Sequence, residues 1–202
     1  MIKFNTKPEI SALDVGCDGG RWSMLLKKRG WKLNCIDTDI KSLEICQKRI
    51  PDSVCKLVSS EDIEFPIEDN SVDLIICIEV HPVTISDWFI SECRKKLRPG
   101  GIVVTTFNNS YSIRSLAYRA IVKIQSTKIN YGWYDSKKSY GQFRENILDS
   151  DFRIIYERGM CWFPFRRNSN SKLIRPFVIL EKRLGLHKFT RYSPFVITVF
   201  RK

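Results

Sequence analysis

The stretch that decides the fold is LDVGCDGG, residues 13–20. It follows an apolar run, 10–15, that is typical of a buried strand, and it leads into a helical pattern at 21–29. Glycine adopts positive φ angles and lets a ligand approach the backbone closely. A strand, a glycine bend and a helix in this order therefore predict a site for a nucleotide-like ligand. The spacing Gly-x-x-Gly-Gly differs from the Gly-x-Gly-x-x-Gly of dinucleotide sites, which weakens an assignment to NAD.

Downstream of this bend, short apolar runs alternate with helical patterns. Strands are predicted at 32–37, 54–58, 72–78 and 102–107, and helices at 40–49 and 85–97. Alternation at this spacing predicts crossover units around a parallel sheet, with the ligand beyond the carboxyl ends of the strands. The second half is less regular: helices are predicted at 111–125, 137–148 and 176–184, and strands at 152–157 and 195–201.

Acidic residues follow the second and third predicted strands. Asp37 ends the second strand, 21 residues after Gly16, which is the separation expected for one crossover unit. A carboxylate there accepts hydrogen bonds from both hydroxyls of a ribose, whereas the alternative role of helix cap suits Asp39 better. After the third strand, Glu61 and Asp62 compete to accept an adenine amino group, and a surface turn is the alternative for both.

Seven cysteines and two histidines bear on compartment and metal binding. The cysteine count is odd, no Cys-x-x-Cys pair occurs, and several cysteines lie in apolar runs, which indicates reduced, buried thiols in a cytoplasmic protein. We expect no metal site, because no ligand pair has zinc-finger spacing. No run approaches the roughly 18 apolar residues of a membrane span, and the first residues lack the apolar core of a secretion signal.

The basic charge is concentrated at one end of the chain. The formal net charge is +12, and residues 160–202 hold ten lysine or arginine residues against one acid, Glu181. A local excess of this size indicates an anionic partner, and a solvated surface that aids solubility is the alternative.

Taken in order, four segments resemble the class I S-adenosylmethionine-dependent methyltransferases. The nearest resemblance is to the small-molecule group that includes enzymes of ubiquinone biosynthesis. The segments are LDVGCDGG at 13–20, Asp37, FP at 65–66 with DNSVD at 69–73, and LRPGG at 97–101. The resemblance covers residues 9–108 well and the remainder loosely.

The resemblance implies a Rossmann-like, doubly wound α/β fold: a mainly parallel seven-stranded sheet with helices on both faces and an antiparallel last strand. It implies S-adenosylmethionine as the cofactor. Residues 1–202 then form a single methyltransferase domain, with a cofactor-binding half at 1–108 and a substrate-side half at 109–202. The second half includes a basic, aromatic insertion at 160–191.

The same resemblance assigns cofactor contacts to particular residues. Asp14 orients the methionine ammonium, Asp37 holds the ribose, and Glu61 or Asp62 meets the adenine. Ile78 and Glu79 line the methyl-transfer side. The remaining predicted contacts, all in the bend or after the second strand, are Gly16, Cys17, Gly19 and Thr38.

His81 is the candidate catalytic base, because it follows the fourth strand and an imidazole pKa of about 6.5 suits proton transfer. Related enzymes often have Glu-x-x-x-His here, whereas this chain has Glu79-Val80-His81, so a loop or substrate-contact role is the alternative. His187 is predicted to be a surface residue. The predicted acceptor contacts, set against the alternative of core or lid packing, are Asn108, Tyr111, Tyr131, Trp133 and Arg166.

The predicted helix at 176–184 has two interpretations. Phe177, Leu180 and Leu184 share one face by spacing, so the helix either packs on the edge of the domain or forms a lid for an anionic substrate or a membrane surface. Peripheral contact with a membrane thus stays open beside the cytoplasmic prediction.

The sequence favours methyl transfer to a small-molecule hydroxyl, on a phenolic, glycosyl or lipid-linked anionic acceptor. An RNA methyltransferase is the alternative, since the basic end would supply phosphate contacts. Against RNA, the fourth strand lacks an Asn-Pro-Pro-Tyr or Asp-Pro-Pro-Tyr motif, and no RNA-binding module is appended. A third hypothesis, a cofactor-binding scaffold without activity, conflicts with the intact Asp14, Gly16 and Asp37.

Overall fold

A computed structural model describes residues 9–124, 138–163, 165 and 169–202. Its strands are β1 Ser11–Val15, β2 Lys32–Asp37, β3 Val54–Leu57, β4 Val72–Cys77, β5 Leu97–Asn108, β6 Arg153–Met160 and β7 Phe195–Arg201. Its α-helices are α1 Arg21–Lys27, α2 Ile40–Arg49, α3 His81–Thr84, α4 Phe89–Lys96, α5 Ile113–Ile124, α6 Tyr140–Asp149 and α7 Ile174–Arg183. Two 3-10 turns, Leu186–Lys188 and Thr190–Tyr192, precede β7.

The strands form one seven-stranded mixed sheet in the order β3-β2-β1-β4-β5-β7-β6. The strand β7 is antiparallel and helices flank the sheet, so the predicted fold class is confirmed. None of the helices in the described part of the chain is long and apolar enough to cross a membrane.

The strand β1 lies between β2 and β4 and pairs in parallel with both. All five of its residues are buried, as is typical of a central parallel strand. Three of them are apolar, and the other two are Ser11 and Asp14. In register, Val15 lies opposite Ile36 on one side and Cys77 on the other. The carboxyl ends of these three strands therefore lie at the same edge of the sheet.

The described residues fall into two compact units. The first lies within Met1–Val80, Asp87–Val104 and Arg201–Lys202, and the second comprises His81–Ser86 and Thr105–Phe200. In the first, the core packs strands against α2 through residues such as Leu33, Leu43 and Ile50. In the second, the Phe107 ring stacks on Phe143 at 4.8 Å between centroids and meets Tyr140 edge-on at 5.8 Å.

The region 85–97 differs from the single helix predicted there. The structure has α3 before it, an irregular stretch, and then α4, with β5 beginning at Leu97. Ser86 Oγ donates to the Val83 carbonyl at 2.7 Å, and such a side-chain bond competes with continuation of a helix. At the other end, the buried Lys96 ammonium lies 2.9 Å from Asp69 Oδ1 and 3.8 Å from Glu92 Oε2.

The hydrogen bonds of the Tyr140 hydroxyl allow a test of the core of the second unit. Its ring is fully buried, and its hydroxyl donates to Glu157 Oε1 at 2.5 Å and lies 2.9 Å from Thr198 Oγ1. Burial raises the pKa of this phenol, so the hydroxyl keeps its proton. We expect Tyr140→Phe to lower the free energy of unfolding by about 1–2 kcal/mol, because it leaves partly buried partners short of a hydrogen bond. Urea denaturation measures this.

The control for Tyr140→Phe is Tyr192→Phe, at a tyrosine that is 54% exposed. We expect no measurable change there. Equal stabilities of the Tyr140→Phe variant and the wild type would contradict the assigned role of the network.

Candidate functional site

The bend after β1 is built around Gly16, which has φ +68°. Its N–H and that of Cys17 both donate to the Ile36 carbonyl, at 2.9 and 3.1 Å. A Cβ at position 16 would lie 2.4 Å from Val80 Cγ2, so glycine is required for space as well as for conformation. Val80, in the loop after β4, was not among the predicted site residues, and a β-branched residue at that place gave no signal in the sequence.

The same bend is held to α2. Arg49 Nη1 donates to the Gly19 carbonyl at 2.6 Å, and a Cβ on Gly20, at φ +75°, would approach Cys46 Sγ to 2.8 Å. The bend therefore has little freedom to move away from the ends of β1 and β2.

Asp37 stands beside this bend, half-buried at the end of β2. Its Oδ2 accepts the Asp18 N–H at 2.8 Å, and its Oδ1 accepts the Asp39 N–H at 3.0 Å. Each carboxylate oxygen keeps a further lone pair, so the group can still accept from two hydroxyls. The helix cap is Asp39, whose Oδ2 accepts from the Ser42 N–H at 3.1 Å, as the sequence predicts.

Asp14 is the buried acid of the site. Ser23 Oγ donates to its Oδ2 at 2.5 Å, and burial raises its pKa from 3.8 to about 7. A cationic ligand group beside this carboxylate would favour its ionised form. Ser23 was not predicted as a site residue, although it lies nine residues after Asp14 in the first turn of the following helix.

The acids after β3 are both exposed and differ in what they contact. Asp62 Oδ2 accepts the Ser59 N–H at 2.8 Å and so closes the local turn, which fits the surface-turn alternative. Glu61 accepts only a long hydrogen bond of 3.4 Å from Ser60 Oγ among the contacts of its side chain described here. Contact of either acid with adenine stays a prediction.

The other predicted cofactor residues lie at the same strand ends. Cys17 is buried in the bend, and Thr38 is exposed after β2. Ile78 is half-buried, and Glu79 is exposed with φ +62°, in the loop that carries Val80. Their contacts with a cofactor stay predictions.

Three buried thiols lie close together, and one of them is in the glycine bend. The Sγ atoms of Cys17, Cys35 and Cys46 are all within 4.8 Å of one another. Among the described residues, these three thiols form a group that could hold a metal ion, so the expectation of no metal site stays a prediction.

His81 lies in the second unit, at the start of α3. It is 7% exposed, its ring is 6.2 Å from that of Phe107, and burial lowers its pKa below 6.5. The imidazole is therefore neutral at pH 7. A base role and a packing role both remain open for this residue.

The predicted acceptor contacts are placed only in part. Asn108 is half-buried at the end of β5, and Tyr111 is exposed beneath the Arg119 guanidinium, 5.4 Å from its ring centroid. Tyr131, Trp133 and Arg166 lie outside the described residues. The neighbouring Asn109 is buried, and its side chain bonds the carbonyls of Arg191 and Ser193 at 2.8 and 3.1 Å, so it organises the loop rather than facing a ligand.

Comparison with known proteins finds methyltransferases. A methyltransferase domain model matches residues 13–105. A methyltransferase of Mesorhizobium loti described as S-adenosylmethionine-dependent has a similar structure, with TM-score 0.63 and 14% identity over 96% of this chain and 91% of that chain. Together these comparisons support a class I S-adenosylmethionine-dependent methyltransferase.

Two further methyltransferases are similar to this chain. A ubiquinone biosynthesis O-methyltransferase of Rickettsia felis is 23% identical over 91% of this chain and 78% of its own length. Phosphoethanolamine N-methyltransferase 2 of Haemonchus contortus, solved in complex with S-adenosyl-L-methionine, has TM-score 0.62 and 16% identity, over 98% of this chain and 49% of that one.

The site of this methyltransferase fits its cofactor, S-adenosylmethionine. The cofactor has an ammonium group, for which the buried Asp14 carboxylate is a suitable partner, and a ribose, for which Asp37 still has accepting lone pairs. The glycine bend lies between the two acids in the chain, with no side chain at positions 16, 19 and 20 to obstruct it.

The pKa of Asp14 leads to a test by pH. Between pH 3.8 and about 7, the folded chain keeps a proton on Asp14 that the unfolded chain releases, so the free energy of unfolding falls as pH rises through this window. A cationic ligand beside Asp14 favours the ionised form, so its binding should release a proton below about pH 7 and strengthen as pH rises to that value. Calorimetry of S-adenosylmethionine binding in buffers of different ionisation enthalpy measures the released proton.

The variant Asp14→Asn should lose this proton release, bind the cofactor about tenfold more weakly or worse, and be more stable than wild type without ligand above about pH 7. The control is Asp52→Asn, which removes an exposed carboxylate 3.1 Å from Lys27 Nζ. Proton release that persists in Asp14→Asn would refute the assignment.

Proposed function

We propose that this methyltransferase transfers the methyl group to a hydroxyl oxygen of a small-molecule acceptor. The acceptor class is phenolic, glycosyl or lipid-linked and anionic. The observation that carries this proposal is the likeness to the Rickettsia felis O-methyltransferase, which runs over 91% of this chain and so extends beyond the cofactor half. The ten basic residues within 160–202 support an anionic group on the acceptor.

In this proposal, the acids at three strand ends of the first unit have separate tasks. Asp37 accepts from the ribose hydroxyls, Asp14 pairs with the ammonium, and Glu61 or Asp62 accepts from the adenine amine. Backbone and side chains of Cys17, Gly19, Thr38, Ile78 and Glu79 border the same ligand. The bound cofactor supplies a methyl group made electrophilic by a sulfonium, so alignment with the acceptor matters more than strong acid–base groups.

His81 is the proposed proton acceptor for the attacking hydroxyl. Burial lowers its pKa, which keeps the imidazole neutral and able to take a proton across the neutral pH range. Asn108, Tyr111, Tyr131, Trp133 and Arg166 are the proposed contacts of the acceptor.

An RNA acceptor is the second candidate, because the basic residues within 160–202 would also bind phosphates. RNA retention that weakens steeply with salt, together with methylation of RNA rather than of phenols, would favour it.

The Asp37 carboxylate gives a direct test of the cofactor half. Replacing Asp37 by Asn keeps the size but removes the charge and an acceptor, so we expect S-adenosylmethionine to bind about 10–100-fold more weakly. Calorimetry measures the dissociation constant, and transfer of radiolabelled methyl to a panel of catechols measures activity.

The control for Asp37→Asn is Asp39→Asn, two residues further on. Asparagine caps helices as well as aspartate does, so both stability and affinity should be kept. If the two variants bound the cofactor equally well, Asp37 would not be the ribose ligand. If the cofactor bound normally but no phenolic, glycosyl or lipid-linked acceptor was methylated, the proposed acceptor class would be wrong.

The proposed base is tested with the two histidines. We expect His81→Gln to lower kcat by about 10²-fold or more and to leave cofactor affinity unchanged. The wild-type rate should fall only below about pH 6.5, as His81 becomes protonated, and this acid limb should vanish in the variant. His187→Gln is the control, and a His81→Gln enzyme with normal kcat and an unchanged pH profile would assign His81 to packing instead.

A further inference from the structure

The helix α7 has one face engaged by its own unit. The Phe177 ring contacts the rings of Phe163 and Phe165, at 4.4 and 5.4 Å between centroids. On the same side, Glu181 Oε1 accepts the backbone N–H of Trp162 at 2.8 Å. These contacts fix which way the helix is turned.

The opposite face of α7 is apolar and exposed. Ile179 and Leu180 are 50% and 38% exposed. With Pro176 before them and Arg183 after, they follow the i, i+3, i+4, i+7 spacing of one helix face and line a shallow groove. We call Pro176, Ile179, Leu180 and Arg183 the outer face. The sequence places Phe177, Leu180 and Leu184 on one face, with packing and a lid as alternatives, and in the structure Phe177 packs inward while Leu180 and Leu184 are exposed.

Further exposed apolar side chains lie around the outer face. Leu173 precedes α7, Leu184 follows it, and both are exposed over more than half their surface. An amphipathic helix inside a globular domain turns its apolar stripe towards the core, so a stripe that faces outward indicates a second surface that covers it.

The exposed charges near the outer face in the sequence are mostly basic. The outer face itself includes Arg183, and the exposed basic residues next to it along the chain are Lys172, Arg175, Lys182 and Lys188. The one acid within 160–202, Glu181, is turned inward to the Trp162 N–H. A surface that is apolar inside and negative at its boundary would match these exposed side chains.

We propose that the outer face of α7 binds the surface of an anionic lipid bilayer, with Ile179 and Leu180 in the acyl region and the basic side chains at the headgroups. An interfacial helix combines these two features. RNA would pair with the cations but leaves the aliphatic side chains in water. A second copy of the chain would bring the same positive charges together. One short helix gives reversible, peripheral attachment rather than a stable anchor.

Binding to vesicles tests the proposal without reference to methyl transfer, so it can fail while the proposed function stands. The probe is a vesicle of phosphatidylcholine with about one-third phosphatidylglycerol, and the comparison is pure phosphatidylcholine. We expect the wild-type chain to float with the anionic vesicles, at least tenfold more than with the neutral ones, and to be released at about 0.5 M salt.

The variant Ile179→Ser with Leu180→Ser removes the apolar stripe and keeps every charge. We expect it to bind anionic vesicles at least tenfold more weakly, with unchanged circular dichroism and cofactor affinity. Its matched control is Leu148→Ser with Ile155→Ser, at an exposed pair elsewhere in the same unit, with 43% and 44% exposure. That control should bind vesicles as the wild type does.

Three results would overturn the proposal. The first is no flotation of the wild type with anionic vesicles. The second is equal loss in the control pair. The third is salt-sensitive binding that the Ile179→Ser, Leu180→Ser variant keeps in full, which would assign the basic residues to a polyanion such as RNA.

Discussion

The hydrogen bonds between the glycine bend and the end of β2 are the constraint on which the site depends. The N–H groups of Gly16 and Cys17 meet the Ile36 carbonyl, and one residue on, the Asp18 N–H meets the Asp37 carboxylate. The bend is thereby tied to the strand that supplies the proposed ribose ligand. Because Val80 fills the space where a Cβ of residue 16 would lie, the loop after β4 is tied to the same point.

The burial of the Asp14 carboxylate lowers the stability of the folded chain. Burying an acid with one hydroxyl partner raises its pKa to about 7, and this works against the stability of the ligand-free chain at neutral pH. Apart from Ser11, the other residues of β1 are apolar, and an apolar residue at position 14 would bring no charge into the core. A charged residue in such a place is understandable if a cation pairs with it, and S-adenosylmethionine carries an ammonium group.

Much of the first unit was predictable because local rules agree there. The bounds of β2 and α2 match their predictions, the glycine bend lies where its spacing places it, and Asp39 rather than Asp37 caps α2. Each of these features is set by residues close in sequence: an apolar run, a capping carboxylate, a glycine with positive φ. By contrast, Val80 contacts the Gly16 position and Ser23 contacts Asp14 only after the chain has folded. No rule of sequence spacing predicts these two contacts.

The second unit was harder to predict for the same physical reason. Its helices pack through aromatic contacts between distant segments, such as Phe163 with Phe177, and helical spacing alone does not say which of two apolar faces turns inward. Spacing grouped Phe177 with Leu180 and Leu184 and left packing and a lid as alternatives, whereas the structure gives Phe177 an inward contact and leaves Leu180 and Leu184 exposed. A helix with apolar residues on several sides leaves some of them exposed when its own unit covers one face. The proposed contact with an anionic bilayer accounts for the exposed Ile179 and Leu180 together with the basic residues near them in the sequence.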